Sequence, residues 1–413
     1  MIRVRAEAEK NTKNAAAAKG KKMEYPQGVV FSTASCGFKH AGRDDLGLIV
    51  SQTEAACAGV FTKNKFQAAP VLIAKQHLAQ QKPVRAIIVN SGQANACTGE
   101  EGLAACKKTT RLIAELVGCE PHQVLPASTG VIGDQLKMDK WQAGISQLRT
   151  NMARKQPEAV ARAMMTTDTF PKLRTKILPT EQGDIRLLGM AKGAGMICPN
   201  MATMLGFILC DARVEPQWWQ DALARAVECS FNRITVDGDT STNDCVLALA
   251  NGASVPANGG LAQKLEEALT DLCQELAYCI VRDAEGGTKV LRINVSGAKT
   301  ETDARLAARA VGNSPLVKTA LYGRDPNWGR IVAALGRSGA DFAPNQVSVY
   351  IAGTAIFKAG TPIAGDWDTE LAPALARDEV EIAVSLGNGP QSFSLLASDL
   401  SEDYVRINAE YRS

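Results

Sequence analysis

Short apolar, β-branched runs bounded by turn residues recur along this chain, and stretches of helical spacing come between them. That ordering limits the fold to sheets covered by helices. LGLIVS (46–51), AGVFTK (58–63), PVLIAK (70–75) and RAIIVN (85–90) read as strands. EEGLAACKKTTRLIAELVG (100–118) reads as a helix, with Glu100 and Glu101 at its start and Gly118 at its end. DALARAVECSFN (221–232), AQKLEEALTDLCQELAYCIVRD (262–283) and TDARLAARAVG (302–312) are further amphipathic helices, and segments 343–357 and 378–398 return to strand alternation. No internal repeat or long linker breaks the series. The expected fold is therefore α+β, with layered sheets under helices.

The 413 residues are 46% hydrophobic and 22% charged, a composition that supports a large buried core. Lys and Arg total 46 against 43 Asp and Glu, so the net charge of +3 gives no reason to expect a nucleic-acid or membrane partner. Residues 1–22 carry seven Lys/Arg and two Glu without an apolar core, which reads as a disordered basic tail rather than a secretory signal. The 11 cysteines include no C-x-x-C pair, and their number is odd, so buried thiols in a reducing compartment are expected rather than a disulfide framework. The three histidines, His40, His77 and His122, all lie in the first third of the chain. They form no H-E-x-x-H, so neither a histidine metal site nor a Ser-His-Asp triad is expected.

The richest stretch is KGAGMICPNMATMLGFILCD, residues 192–211. Its first half is turn-prone, through Gly193, Gly195 and Pro199–Asn200, and its second half is an apolar run typical of a buried strand. Thr203 sits at the join. By composition alone this is a loop and a core strand. DGDTSTND (237–244) has the spacing of a calcium loop but places Thr242 and Ala248 where glycine and glutamate belong, so it reads as a polar turn before a helix, bordering any site nearby.

Residues 192–211 resemble the cleavage-site motif of the glutamate N-acetyltransferases (ornithine acetyltransferases) of arginine biosynthesis. NSGQANACTG (90–99), PASTGVIG (126–133), MTTDTFPK (165–172), STNDCVLALANG (241–252), RDAEGGTK (282–289), GRDPNWGRI (323–331) and NAEYRS (408–413) resemble other motifs of that family, in the same order. The resemblance covers about Gly28 to Ser413. It implies an αββα-like sandwich of the N-terminal-nucleophile type that cuts itself between Ala202 and Thr203. Residues 23–202 and 203–413 would then be an alpha and a beta chain sharing one folded unit, assembled as an alpha2-beta2 heterotetramer in the cytoplasm.

The resemblance also implies roles. Thr203 would be the nucleophile, with its own α-amine as base; the unperturbed pKa of such an amine, roughly 7.7–8.0, suits that task. Thr129 and Gly130 would form the oxyanion hole. Lys192 is the expected partner of a substrate carboxylate, and Glu285 of the ornithine ammonium. Thr167, or Thr166 beside it, would contact substrate, as would Asn408 and Ser413. The substrates would be N-acetylornithine and glutamate. No cofactor or metal is expected, and the residues leave open whether acetyl-CoA is a second acetyl donor. The competing reading is an amidohydrolase or aminopeptidase of the same N-terminal-nucleophile type, with water as acceptor.

Overall fold

The computed structural model describes residues 24–38, 42–198 and 204–410. The basic tail of residues 1–22 lies outside them, as do Ala202, Thr203 and Ser413.

Eight strands form one sheet: β1 (Val29–Ala34), β2 (Leu46–Phe61), β3 (Val84–Asn90), β4 (Val124–Ser128), β5 (Lys172–Leu178), β6 (Ile185–Lys192), β7 (Leu205–Cys210) and β9 (Cys245–Ala250). The short β8 (Ile234–Thr235), between β7 and β9 in the chain, pairs in a different sheet. The order is β4-β3-β2-β9-β7-β6-β5, with β1 also on β2. The 16-residue β2 serves both ends: residues 46–50 pair with β1 and β3, and after a register shift residues 56–61 pair with β9. That shift folds the sheet onto itself. Phe31, Ile49, Ile87 and Leu125 from one half and Leu188, Phe207 and Leu247 from the other share one buried cluster.

Helices cover both outer faces. α2 (Gly99–Val117) and α3 (Met138–Asn151) bury Ile113, Trp141 and Leu148 against Leu48 and Ile88. On the other side, α5 (Pro216–Glu228) and α6 (Gly260–Arg282) bury Trp219, Leu223, Leu269 and Leu276 against Ile208 and Val246. The layers run α-β-β-α, the sandwich that the resemblance implies. α1 (Ala69–Leu78) and α4 (Pro157–Ala163) add Ala74 and Val160 to the inner core. Strands from both sides of residues 202–203 share this sheet, and β6 pairs directly with β7.

A second, seven-stranded sheet has the order β13-β12-β11-β14-β10-β15-β8. It contains β10 (Val290–Ala298), β11 (Ser348–Ile351), β12 (Thr354–Lys358), β13 (Thr361–Pro362), β14 (Glu379–Ser385) and β15 (Gln391–Ser398). Its buried face packs on α7 (Glu301–Gly312), α8 (Pro315–Tyr322), α9 (Trp328–Gly336) and α10 (Trp367–Leu375). α11 (Glu402–Glu410) closes the described chain.

Two expectations are corrected. PVLIAK is not a strand but part of α1. Pro70 occupies the first turn of that helix, where its missing N–H costs nothing, and Ala69, Val71, Ile73 and Ala74 are all buried. Leu72 between them is apolar but exposed, so a short apolar run of this kind carries no periodicity to separate helix from strand. The polar turn 237–244 leads into strand β9, not a helix. In addition, the helix expected at 221–232 begins five residues earlier, at Pro216 with Glu215 capping it, and ends at Glu228 before a 3-10 turn at Phe231–Arg233.

Candidate active site

A cleft whose empty space, including the part open to solvent, is about 710 Å³ lies where the sandwich strands end. Three loops stitched together by one side chain form its floor. After β4, Thr129 donates its N–H to Asn90 O (3.0 Å), and Val131 N–H reaches Gly92 O (3.2 Å). Asn243 Nδ2 then donates to Ala94 O (2.6 Å) and Ser128 O (2.9 Å), tying the 90–95 and 128–132 loops to the segment before β9. Gly130 has φ of +131°, and a side chain there would run into the backbone of Gly92 and Gln93. Thr129 and Gly130, adjacent in this turn, both line the cleft.

A buried ion triad joins three of the elements that line the cleft. Lys172 Nζ, fully buried, donates to Asp168 Oδ1 (2.6 Å) and Asp283 Oδ2 (2.5 Å). Asp168 Oδ1 also accepts the Gly193 N–H (2.8 Å), next to Lys192. Asp283 accepts the Thr169 N–H (3.1 Å) and hydroxyl. Burial alone would raise the Asp168 pKa, but the Lys172 and Lys192 ammonium groups and the Gly193 N–H outweigh it and hold the carboxyl below its ordinary value. The turn carrying Thr166 and Thr167, the β6 end carrying Lys192, and the segment carrying Glu285 thus share one set of buried charges.

Glu285 donates its N–H to Ala194 O (2.9 Å) and accepts from Asn408 Nδ2 of α11 (2.8 Å). A Cβ on Gly195 would overlap the Glu285 carboxyl where the loop passes this acid, so a larger residue there would push the carboxyl aside. Asp237 accepts the Met196 and Ile197 N–H groups (2.6 and 2.9 Å), and Thr240 Oγ1 donates to Cys198 O (3.0 Å), which fixes the loop as far as Cys198. Beyond the undescribed stretch, Met204 and Leu205 line the cleft again.

Of the expected site residues, Thr129, Gly130, Thr166, Thr167, Lys192, Glu285 and Asn408 all line this single cleft, and both members of the Thr166/Thr167 pair reach it. Ala202, Thr203 and Ser413 are outside the described residues. Sequence reasoning did not single out Asn243, Asp244 or the Asp168–Lys172–Asp283 triad. The signal available was that they sit in motif-bearing segments, and that 237–244 reads as a polar turn bordering any site nearby. Among the described residues no group of three or more His, Cys, Asp or Glu is placed to hold a metal. No helix among them is long and apolar enough to cross a membrane.

An αββα sandwich with a polar cleft of amino-acid size at its strand ends is the layout of a small-molecule enzyme. The chain matches the sequence profile of the ArgJ family over residues 30–413, and it belongs to that family. It is 53% identical over 389 residues to the arginine biosynthesis bifunctional protein ArgJ of Nitratidesulfovibrio vulgaris, covering 94% of this chain and 99% of that one. The Geobacter sulfurreducens protein of the same name is 44% identical over 393 residues, covering 94% and 99%. Among solved structures, the ArgJ protein of Bacillus halodurans is 39% identical with a TM-score of 0.46, covering 49% of this chain and 96% of that one. The ornithine acetyltransferase of Mycobacterium tuberculosis complexed with ornithine is 39% identical with a TM-score of 0.40, covering 43% and 94%.

Proposed function

We propose that this chain transfers an acetyl group from N2-acetylornithine to glutamate, giving ornithine and N-acetylglutamate, through an acetyl-Thr203 intermediate formed after self-cleavage between Ala202 and Thr203. The observation that carries the reading is the single cleft. It sets paired donors, Thr129 and Gly130, in one enclosure with a lysine and a glutamate suited to an amino acid.

In this reading Lys192 pairs with the α-carboxylate of either substrate, and Glu285, held by Asn408, pairs with the side-chain ammonium of the donor. The α-amine of Thr203 takes the hydroxyl proton as Oγ attacks the acetyl carbonyl. The resulting oxyanion is met by the Thr129 hydroxyl and Gly130 N–H. The C–N bond breaks, the amine proton passes to the departing ornithine nitrogen, and an ester remains on Oγ. Glutamate then enters the same cleft, its amine attacks the ester, and Thr203 is regenerated. Before cleavage residue 203 has only an amide nitrogen, which is no base, so processing must precede turnover. Two chains of each kind per assembly, in the cytoplasm, complete the proposal.

Thr203→Ala is expected to run as one uncut species near 43.9 kDa and to transfer no acetyl group. Wild-type protein given donor alone should gain one acetyl on the Thr203 fragment by intact mass. A cut Thr203→Ala protein, or sustained ornithine release beyond one equivalent per Thr203 without glutamate, overturns the reading; the second result belongs to a hydrolase. Thr129→Ala, assayed on fully cleaved protein, should lose on the order of 10²–10³ in kcat with little change in KM, because the oxyanion exists only during reaction.

A further inference from the structure

Asp244 is the last residue before β9. It is 3% exposed, yet it lines the cleft. Its Oδ2 is buried and has no hydrogen-bond partner among the described residues. The backbone around it is tightly held: Asp244 O accepts Thr62 N–H (2.9 Å), and the next N–H along the chain, of Cys245, reaches Met204 O (3.1 Å) at the start of β7. Lys192 of β6 is the charged group that acts on it, and the Ser241 hydroxyl and N–H face it from its own loop. The same Lys192 ammonium acts on Asp168, and Glu285 lines the same cleft. From β7 and the 129–132 loop the cleft receives only the uncharged Met204, Leu205, Thr129, Gly130 and Ile132.

An ionised carboxylate with a buried, donorless oxygen is unfavourable. Burial pushes the Asp244 carboxyl well above its ordinary range, against the pull of Ser241 and Lys192. Charge counting points the same way. An ionised Asp244 would neutralise Lys192 and repel an incoming carboxylate, whereas a protonated one leaves the ammonium available. With the proton on Oδ2, the O–H has no acceptor among the described residues, and a carboxylate ligand is acceptor-only.

We propose that Asp244 donates a hydrogen bond from its carboxyl O–H to the substrate α-carboxylate that Lys192 pairs with, so that one cation and one neutral acid read that group on both substrates. The inference rests on the proposed role of Lys192 as carboxylate partner. It makes Asp244 a binding residue with a built-in alkaline limit: once it loses its proton, the cleft gains a negative charge where a carboxylate must enter.

The test uses fully cleaved enzyme and compares wild type with Asp244→Ala and Asp244→Asn. Asp244→Ala should raise KM for acetylornithine and for glutamate by about tenfold or more, the size of one hydrogen bond to a charged group, with kcat little changed. Asp244→Asn, which keeps a neutral N–H donor, should recover most of that loss. It should also remove the rise in KM that wild type shows with increasing pH. Difference infrared spectra of wild type against Asp244→Asn should contain the C=O band of a protonated carboxyl at neutral pH, a readout independent of activity. An alkaline rise in KM that persists in Asp244→Asn, a loss confined to kcat, or no protonated-carboxyl band each overturns the proposal. If Lys192→Ala leaves both KM values unchanged while the band is present, it is the Lys192 assignment that fails.

Discussion

The two sheets of this molecule obey the same packing rules but bury different chemistry. In the sandwich, β7 and β9 are buried at every one of their six positions, and the buried Lys172, Asp168, Asp283 and Asp244 lie around the strand ends. In the second sheet, β14 alternates buried and more exposed residues. Its core is aliphatic and aromatic throughout, from Leu291 and Ile293 to Ile382 and Phe393. The second sheet's buried charges, Lys289, Lys318 and Asp399, gather where β10 begins and β15 ends. There burial pushes Lys318 down to about 8, although Asp399 and Asp237 oppose it. Ionisable groups are thus buried around the cleft and where β10 begins and β15 ends, while Asp45 and Asp211 are buried as acceptors of backbone N–H groups. Burying charge costs desolvation, so the four held around the cleft are a functional signal.

The sharpest way to break this comparison is to remove the cation of the triad. Lys172→Met leaves Asp168 and Asp283 buried without it, which should cost about 3–5 kcal/mol of stability. The sign of the pH effect is set by Asp168. Its pKa is depressed in the folded state, so its contribution is present above the ordinary carboxylate range and is lost as pH falls through the lowered value. Urea unfolding should therefore show a larger deficit for Lys172→Met near neutrality than near about pH 4, where unfolded carboxylates take up protons. A deficit that does not shrink in acid would mean the triad is held by packing, not charge. Surviving folded protein should also bind substrate weakly, because the triad aligns the segments carrying Thr167, Lys192 and Glu285.

The second sheet offers the matching control. Ile382 of β14 is fully buried in the apolar core. Ile382→Ala should cost about 2–5 kcal/mol through lost burial and the cavity left behind. Measured at a temperature where the variant stays folded, kcat and KM should match wild type. A changed KM would show that the second sheet tunes the cleft and that the division between the two regions is wrong.

The same difference explains what the sequence made legible. Segments 343–357 and 378–398 read correctly as strands because one-sided burial writes a period of two. α7 read correctly because its buried Ala304, Ala307, Ala308 and Val311 recur at helical spacing and Thr300 caps it. PVLIAK failed because the run is apolar at its exposed position, Leu72, as well as at its buried ones, which leaves no period to read. The segment before β9 failed because its polar residues mark a turn equally well before a strand or a helix. In the site, Thr129, Gly130, Lys192, Glu285 and Asn408 were named through motif resemblance, and the structure brings them to one cleft. Asp244 and Lys172 were not singled out. A buried charge looks like a surface charge in sequence, and only the fold reveals that water is excluded from it.

The smallest expected effect tests that last point with the same kind of contact in the opposite setting. Arg292 of β10 donates from Nε and Nη2 to Glu379 Oε1 of β14 (2.9 and 2.8 Å), a diagonal neighbour, since Arg292 itself sits opposite Glu381. These distances are close to those within the triad, but the side chains are 42% and 38% exposed rather than buried. Water solvates both charges before and after folding, so little desolvation is at stake and salt screens what attraction remains. A double-mutant cycle with Arg292→Ala and Glu379→Ala should give a coupling of about 0.2–1 kcal/mol, falling towards zero in 1 M salt, where the Debye length is about 3 Å. A coupling as large as the loss in Lys172→Met would show that pairing geometry, not burial, sets the strength of these contacts, and the contrast between the two sheets would lose its physical basis.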